Sequence, residues 1–154
     1  MLRPVPKICF AVAVLVVGTA ETAAARWADW PPGPSDAELE TIVRVAYTAA
    51  AAHARRNTNY FARDDDFAAL RVVIEDELGR QGLSFVTVPE APIADLTAAQ
   101  ACTEDGTQLR FAVNMFGDSI TLAAASTKRV FTYHYDPHED AAIVVTPSQD
   151  CLKK

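Results

Sequence analysis

The sequence predicts an α+β fold: two N-terminal helices packed on a four- to five-stranded antiparallel β-meander, held by one disulfide. Three observations carry this expectation. Residues 35–82 contain two segments whose apolar residues recur at i, i+3 and i+4, the period of a helix with one buried face. The second half contains short alternating segments joined by brief polar connections, with no helical crossover, which argues against a parallel sheet. Two cysteines, Cys102 and Cys151, bracket the last four of those segments.

The first element is not part of that fold. "MLRPVPK" carries Arg3 and Lys7, "ICFAVAVLVVGTA" is apolar, and Ala23-Ala24-Ala25 supplies small residues for cleavage. This is the three-part layout of a secretory signal peptide, residues 1–25. The apolar run is shorter than the ~20 residues that span a bilayer, and "WPPGP" breaks any helix continuing from it. Cleavage after Ala25 therefore leaves residues 26–154 exported, periplasmic or secreted, with no stable membrane span expected. Removing Arg3, Lys7 and Glu21 from 14 basic and 20 acidic residues leaves 12 and 19, a net charge of −7. An acidic surface repels phosphate backbones and anionic headgroups, so nucleic acid is not an expected partner.

Residues 26–35 read as an extended N-terminal arm, because three prolines and a glycine follow "RWADW". Trp27 and Trp30 either pin this arm to the domain or serve as contacts for a partner. Residues 36–154 then form a single α+β domain. Ser35 and Glu38 have the S-x-x-E spacing of a capping box at the start of the first helix. Leu39, Ile42, Val43, Ala46, Ala50 and Ala54 form its buried face, with His53 beside the stripe. One of Asp64, Asp65 and Asp66 caps the second helix, Phe67, Leu70, Val73, Ile74 and Leu78 form its apolar side, and Gly79 or Gly82 ends it.

"LSFVTV" alternates and is expected as a strand ended by Pro89 and Pro92; "ADLTAAQAC" reads as a helical turn. The meander follows in "QLRFAVNM", "SITLAAA", "RVFTYHY" and "AAIVVTP", joined by "FGDS", "STK" and "DPHED". In an exported chain, the even pair Cys102 and Cys151 reads as a disulfide. It closes a loop of about 50 residues, worth about 4 kcal/mol by loop-closure entropy. The bond also removes both thiols as nucleophiles. It sets a geometric problem, since the outer strands of a four-stranded meander lie about 14 Å apart. Either the segment before Gln108 or the tail after Pro147 crosses the sheet, or the sheet curls strongly, or the strands are not in sequential order.

The chemistry-bearing residues concentrate in "TYHYDPHED". With a strand period of two, Phe131, Tyr133 and Tyr135 form an apolar face toward the helices. Val130, Thr132, His134 and Asp136 form the opposite face, which leaves His134 and Asp136 expected toward solvent. His134, Asp136 and His138 could hold zinc or copper, and with Glu139 and Asp140 could serve a small hydrolase. The competing reading is a solvated Asp-Pro turn, with no cofactor. No G-x-S-x-G, phosphate-binding glycine loop or H-E-x-x-H occurs. The expectation is thus a small exported, non-enzymatic domain that binds a protein or a cell-envelope component.

Two resemblances extend this reading. "RVAYTAAAAHARRNTNYFARDDDFAAL" resembles the later half of the long helix and the following loop of type IV pilins and pseudopilins, over about residues 40–70. The resemblance implies a helix leading to an antiparallel sheet, with Cys102 and Cys151 closing a C-terminal loop, and a pilin-like subunit as a possible role. The chain departs from that family in having a signal peptide and "WPPGP" where the family has a long apolar helix that packs the fibre core. "CTEDGTQL" is similar to the start of the disulfide-closed meander of small periplasmic lysozyme inhibitors, which implies inhibition as a further role.

Overall fold

The structure, a computed structural model, describes residues 33–63, 66–138 and 143–151. The expected signal peptide, Trp27, Trp30, Asp64, Asp65, Glu139 and Asp140 lie outside the described residues. The elements run α1 (Asp36–Arg56), α2 (Phe67–Arg80), α3 (Leu96–Ala99), then β1 (Gln108–Val113), β2 (Ile120–Ala125), β3 (Arg129–Tyr135) and β4 (Ile143–Asp150). The fold is α+β, with the helices packed on a four-stranded antiparallel sheet of order β1-β2-β3-β4. No helix among the described residues is long and apolar enough to cross a membrane.

Helix α1 begins where the sequence places it. The Glu38 carboxylate accepts the Ser35 N–H at 2.8 Å, satisfying a donor that the first turn leaves orphaned. Its predicted face is buried in full, with Ala49 added. Its alanines admit α2 closely, and Leu70, Ile74 and Leu78 of α2 are buried against this layer. Gly82, at φ +76°, ends α2. Leu83 N–H then reaches Leu78 O at 2.8 Å and Gly82 N–H reaches Gly79 O at 3.1 Å, with Leu78 and Leu83 both buried. This double closure with an apolar contact is a Schellman ending, which needs the left-handed residue that glycine supplies.

The helical layer covers one sheet face. Leu109, Phe111, Ile120, Leu122, Ala124, Phe131 and Tyr133 join Leu39, Ile42 and Val43 in the main core. Each fully buried Leu, Ile or Phe there contributes about 1.5–3 kcal/mol of transfer free energy. Edge strand β4 carries Pro147 where two of its residues oppose Phe131, between the pairs Val130–Gln149 and Thr132–Thr146. A residue without an N–H fits such a bulge on an edge strand.

One expectation needs correction. "LSFVTV" is not a fifth strand: Val86 N–H turns back to Leu83 O, and only Thr87 makes an isolated parallel bridge, to Gln108. Pro89 and Pro92 offer no donors for a longer ladder, although Val86 and Val88 are buried. The second sheet face is covered as well at its other end. Val130 and Thr132 are buried there, and Val130 packs with Ala99, Ala123, Ala125 and Cys151 in a smaller core.

The segment from Ile93 to Thr103 builds that second core and solves the crossing problem. It leaves the β1 edge where Ile93 N–H meets Phe111 O, runs over β2 as α3, and reaches the β2–β3 turn, where Thr103 N–H meets Ser126 O. Arg110, half-buried on this face, donates to the carbonyls of Ala98 (3.2 Å), Ala101 (2.5 Å) and Cys102 (3.3 Å). It thereby supplies donors to one carbonyl of α3 and to two just beyond its end. Cys102 arrives beside Cys151 with Cα atoms 5.1 Å apart, and the two are bonded across a separation of 49 residues. Strand order is therefore sequential, and the segment before β1 makes the crossing.

Candidate functional site

The antiparallel pairing puts the β1–β2 and β3–β4 turns at one end of the sheet and the β2–β3 turn with the disulfide at the other. The turn after α1 joins the first of these ends. Helix α1 stops at Arg56, and Thr58 (φ 56°) and Asn59 (φ 68°) follow in the left-handed region. That conformation costs a β-branched residue about 1–2 kcal/mol. Tertiary contacts hold it. Asn59 N–H reaches Ala54 O at 2.8 Å, and Phe61 is buried with its N–H 2.7 Å from Gly117 O in the β1–β2 turn. Gly117 has φ +79°, and a Cβ there would stand 2.2 Å from Ala62 O. Only glycine lets the two turns approach this closely.

Around Phe61 the interior is aromatic. Tyr47 lies 4.5 Å from Tyr133 and 6.0 Å from Tyr135, ring centre to ring centre, and Phe61 meets Tyr135 edge-on at 5.8 Å. Burial, and then the neighbouring Tyr47, push the Tyr133 hydroxyl up to about 12; burial also raises Tyr47. Both phenols therefore stay protonated near neutral pH and act as packing groups and donors.

The β1–β2 turn is braced by its own polar residues. Asn114 Oδ1 accepts the N–H groups of Asp118 (3.1 Å) and Ser119 (3.3 Å), and Asn114 Nδ2 donates to Asp118 Oδ1 at 2.7 Å. His138 Nε2 contacts Asp118 Oδ2 at 2.7 Å, tying this turn to the one after β3. The hydrogen bond and charge of Asp118 raise the His138 imidazole, and the bonds from His138 and Asn114 hold the Asp118 carboxyl down. From this fixed base Met115 and Phe116 project into water, 90% and 67% exposed. A cleft of about 650 Å³ beside them is walled by Tyr60, Arg63, Phe67 and Val113. Tyr60 and Arg63 also line a second cleft of about 460 Å³ with His53 and Asn57. A third, of about 190 Å³, abuts Asn59 and Phe61.

No family model, curated protein or solved structure matches this chain. The reading of the site therefore rests on its geometry.

The charges at this end are arranged unusually for an acidic chain. Arg44, Arg71, Arg80 and Arg129 pair with carboxylates, and Arg110 with carbonyls. Arg55, Arg56 and Arg63 make no ion pair with the described residues, and all three flank the turn after α1. The Arg63 guanidinium lies 4.2 Å from the centre of the Tyr60 ring, a cation–π stack that holds it at the rim of the large cleft. His53 bonds Asn57 at 2.7 Å, and burial followed by the charge of Arg56 lowers its imidazole.

The sequence-predicted site residues are dispersed by the structure. His134 Nδ1 is 2.8 Å from Thr121 Oγ1, on the neighbouring strand. His138 turns away to Asp118, and Asp136 accepts the His138 backbone N–H at 2.9 Å, closing the Asp-Pro turn. Among the described residues no three His, Cys, Asp or Glu side chains form a group able to hold a metal ion. Pro137 is the physical reason, since it reverses the chain before His138 and carries that ring toward the other hairpin. Sequence reasoning passed over Met115, Phe116, Tyr60 and Arg63. The available signal was "NMFGDS", two large apolar residues at a tight turn, where polar residues are usual.

Proposed function

We propose that this chain is a small exported, non-enzymatic domain that binds a protein component of the cell envelope through the sheet end formed by residues 57–63 and 114–118. One observation carries the reading: Met115 and Phe116 stand exposed on a turn fixed by Asn114, Asp118 and the Gly117–Ala62 seat. A turn whose backbone is already fixed loses little backbone entropy on association, and the large apolar side chains it carries supply the desolvation that dominates protein contacts. The adjoining cleft provides a concave surface for a partner's side chain, and Arg63 a charge for orientation. In this reading the His138–Asp118 pair is a brace between hairpins, since His138 Nε2 is engaged by the carboxylate.

The test compares residues 26–154 of the native chain with the Met115→Ser/Phe116→Ser double variant, each immobilised and exposed to envelope extract. The native form should retain a defined protein, and the double variant at least about tenfold less, with unchanged thermal stability. Equal retention by the two proteins would overturn the assignment to this end.

A further inference from the structure

Resting on that reading, we infer that the partner presents an extended segment, apolar with one acidic side chain, which adds as a strand beside Val113 and sets its carboxylate on Arg63. The first support is the state of the sheet edge. Strand β1 is an outer strand, and the backbone groups of alternate residues point away from β2. The hydrogen bonds of Leu109 N–H to Thr87 O and of Ile93 N–H to Phe111 O, both 2.9 Å, identify the odd-numbered residues as those pointing outward. Asn114 N–H, bonded inward to Ser119 O, agrees with that alternation. The peptide groups of Val113 therefore face outward, just past the stretch that Thr87 and Ile93 cover. An open edge of this kind is a template for strand addition.

The second support is what lies beside the edge. Val113 is a wall of the 650 Å³ cleft, whose other walls include Phe67, Phe116, Met115 and the Tyr60 ring. In an added strand alternate side chains point to one side, so one side chain enters this cleft while the side chain two residues away reaches Arg63. Among the described residues Arg63 is the only charged one lining the cleft, and none of them gives it a carboxylate partner. Its stack on Tyr60 fixes the guanidinium in place, which favours directed pairing with a carboxylate. Asp66 lines the smaller cleft on the far side of Arg63, not this one. The edge left open is short, so the main chain sets direction and the side chains carry discrimination.

The probes are four synthetic hexapeptides, acetylated and amidated: VTFVET, in which Phe and Glu share one strand face, its twin VTFVKT, and two forms of VTFVET with N-methyl groups on the odd or on the even peptide nitrogens. Titration is followed by NMR of the native residues 26–154. VTFVET should bind with a dissociation constant below about 1 mM and shift the Val113 amide. VTFVKT should bind at least about fivefold more weakly, and one N-methylated register should lose binding. Arg63→Glu should reverse the order of the first two peptides, and Arg63→Gln should remove the difference between them. Arg63 is exposed, so both variants should fold. Absence of VTFVET binding at about 1 mM, an unchanged order in Arg63→Glu, or insensitivity to N-methylation in both registers would overturn the strand-addition mode. If these fail while the Met115→Ser/Phe116→Ser variant still loses its envelope protein, the mode is wrong and the binding end stands. If both fail, the site itself is wrong.

Discussion

The two ends of the sheet are built on opposite terms. At one end the chain is closed on itself: the segment from Ile93 to Thr103 crosses the sheet, Arg110 holds it by three carbonyls, and the Cys102–Cys151 bond seals it over a small buried core. Arg129 adds an ion pair to Asp36 at 3.0 Å there. At the other end no covalent link joins the turns within the described residues. Hydrogen bonds and one glycine hold them together, two strained residues sit in the turn after α1, and two large apolar side chains face water. The first end spends its polar groups on itself, whereas the second leaves Arg55, Arg56 and Arg63 without an ion pair among the described residues and Met115 and Phe116 exposed. A domain stabilised at one end can tolerate strain and exposure at the other, and surfaces of that kind are where binding sites are found.

Breaking the closed end should have the largest effect. Replacing Cys102 and Cys151 together by Ser should lower stability by about 4 kcal/mol, read from denaturant or thermal unfolding of the oxidised native chain and the variant. A loss near zero would mean that Arg110 and the small core close this end without the bond. Gly117→Ala tests the open end. It places a Cβ 2.2 Å from Ala62 O at a positive φ, and should cost about 2–3 kcal/mol while loosening Phe61 and the turn around it. Hydrogen exchange of the Phe61 amide should rise in this variant more than that of α2.

Arg110→Met keeps much of the side-chain volume and removes the donors to Ala98, Ala101 and Cys102. It should cost about 1–3 kcal/mol, less than the disulfide, because the carbonyls at the rim recover water. The smallest effect is the one with a pH signature. Asp118 is held below its ordinary range, so its part of the His138 contact is lost as pH falls through its folded value. His138 is raised, so its part is present below the ordinary imidazole value of ~6.5 and disappears as pH rises through the higher folded value. The native chain should therefore exceed His138→Gln in melting temperature most clearly between about pH 4 and 6.5, and the curves should converge in alkali. An offset that stays constant from about pH 4 into alkali would remove His138 as a charged brace.

How far the two ends could be read in advance differs for a physical reason. Helix limits depend on local groups, so Ser35, Glu38 and Gly82 marked their ends correctly. The buried face of α1 follows from a period of 3.6, and the apolar face of β3 from a period of 2. The disulfide was legible from two cysteines and its need for a crossing from strand spacing alone. "LSFVTV" misled because alternation marks burial on one side, which Val86 and Val88 have, without supplying a neighbouring ladder. The metal reading of His134, Asp136 and His138 counted ligand types close in sequence. Thr121 and Asp118, distant in sequence, take those histidines instead.

By itself, then, the sequence determined the helices, the meander, the pairing of the cysteines and the acidic charge, because each rests on periodicity, capping or composition within a short stretch. Tertiary structure alone decided that Gly117 seats against Ala62, that Tyr60 and Arg63 reach the edge of β1, and that Met115 and Phe116 remain uncovered. These depend on which turns share an end of the sheet, and that is settled only when helices and strands have packed and brought residues about 50 positions apart into contact.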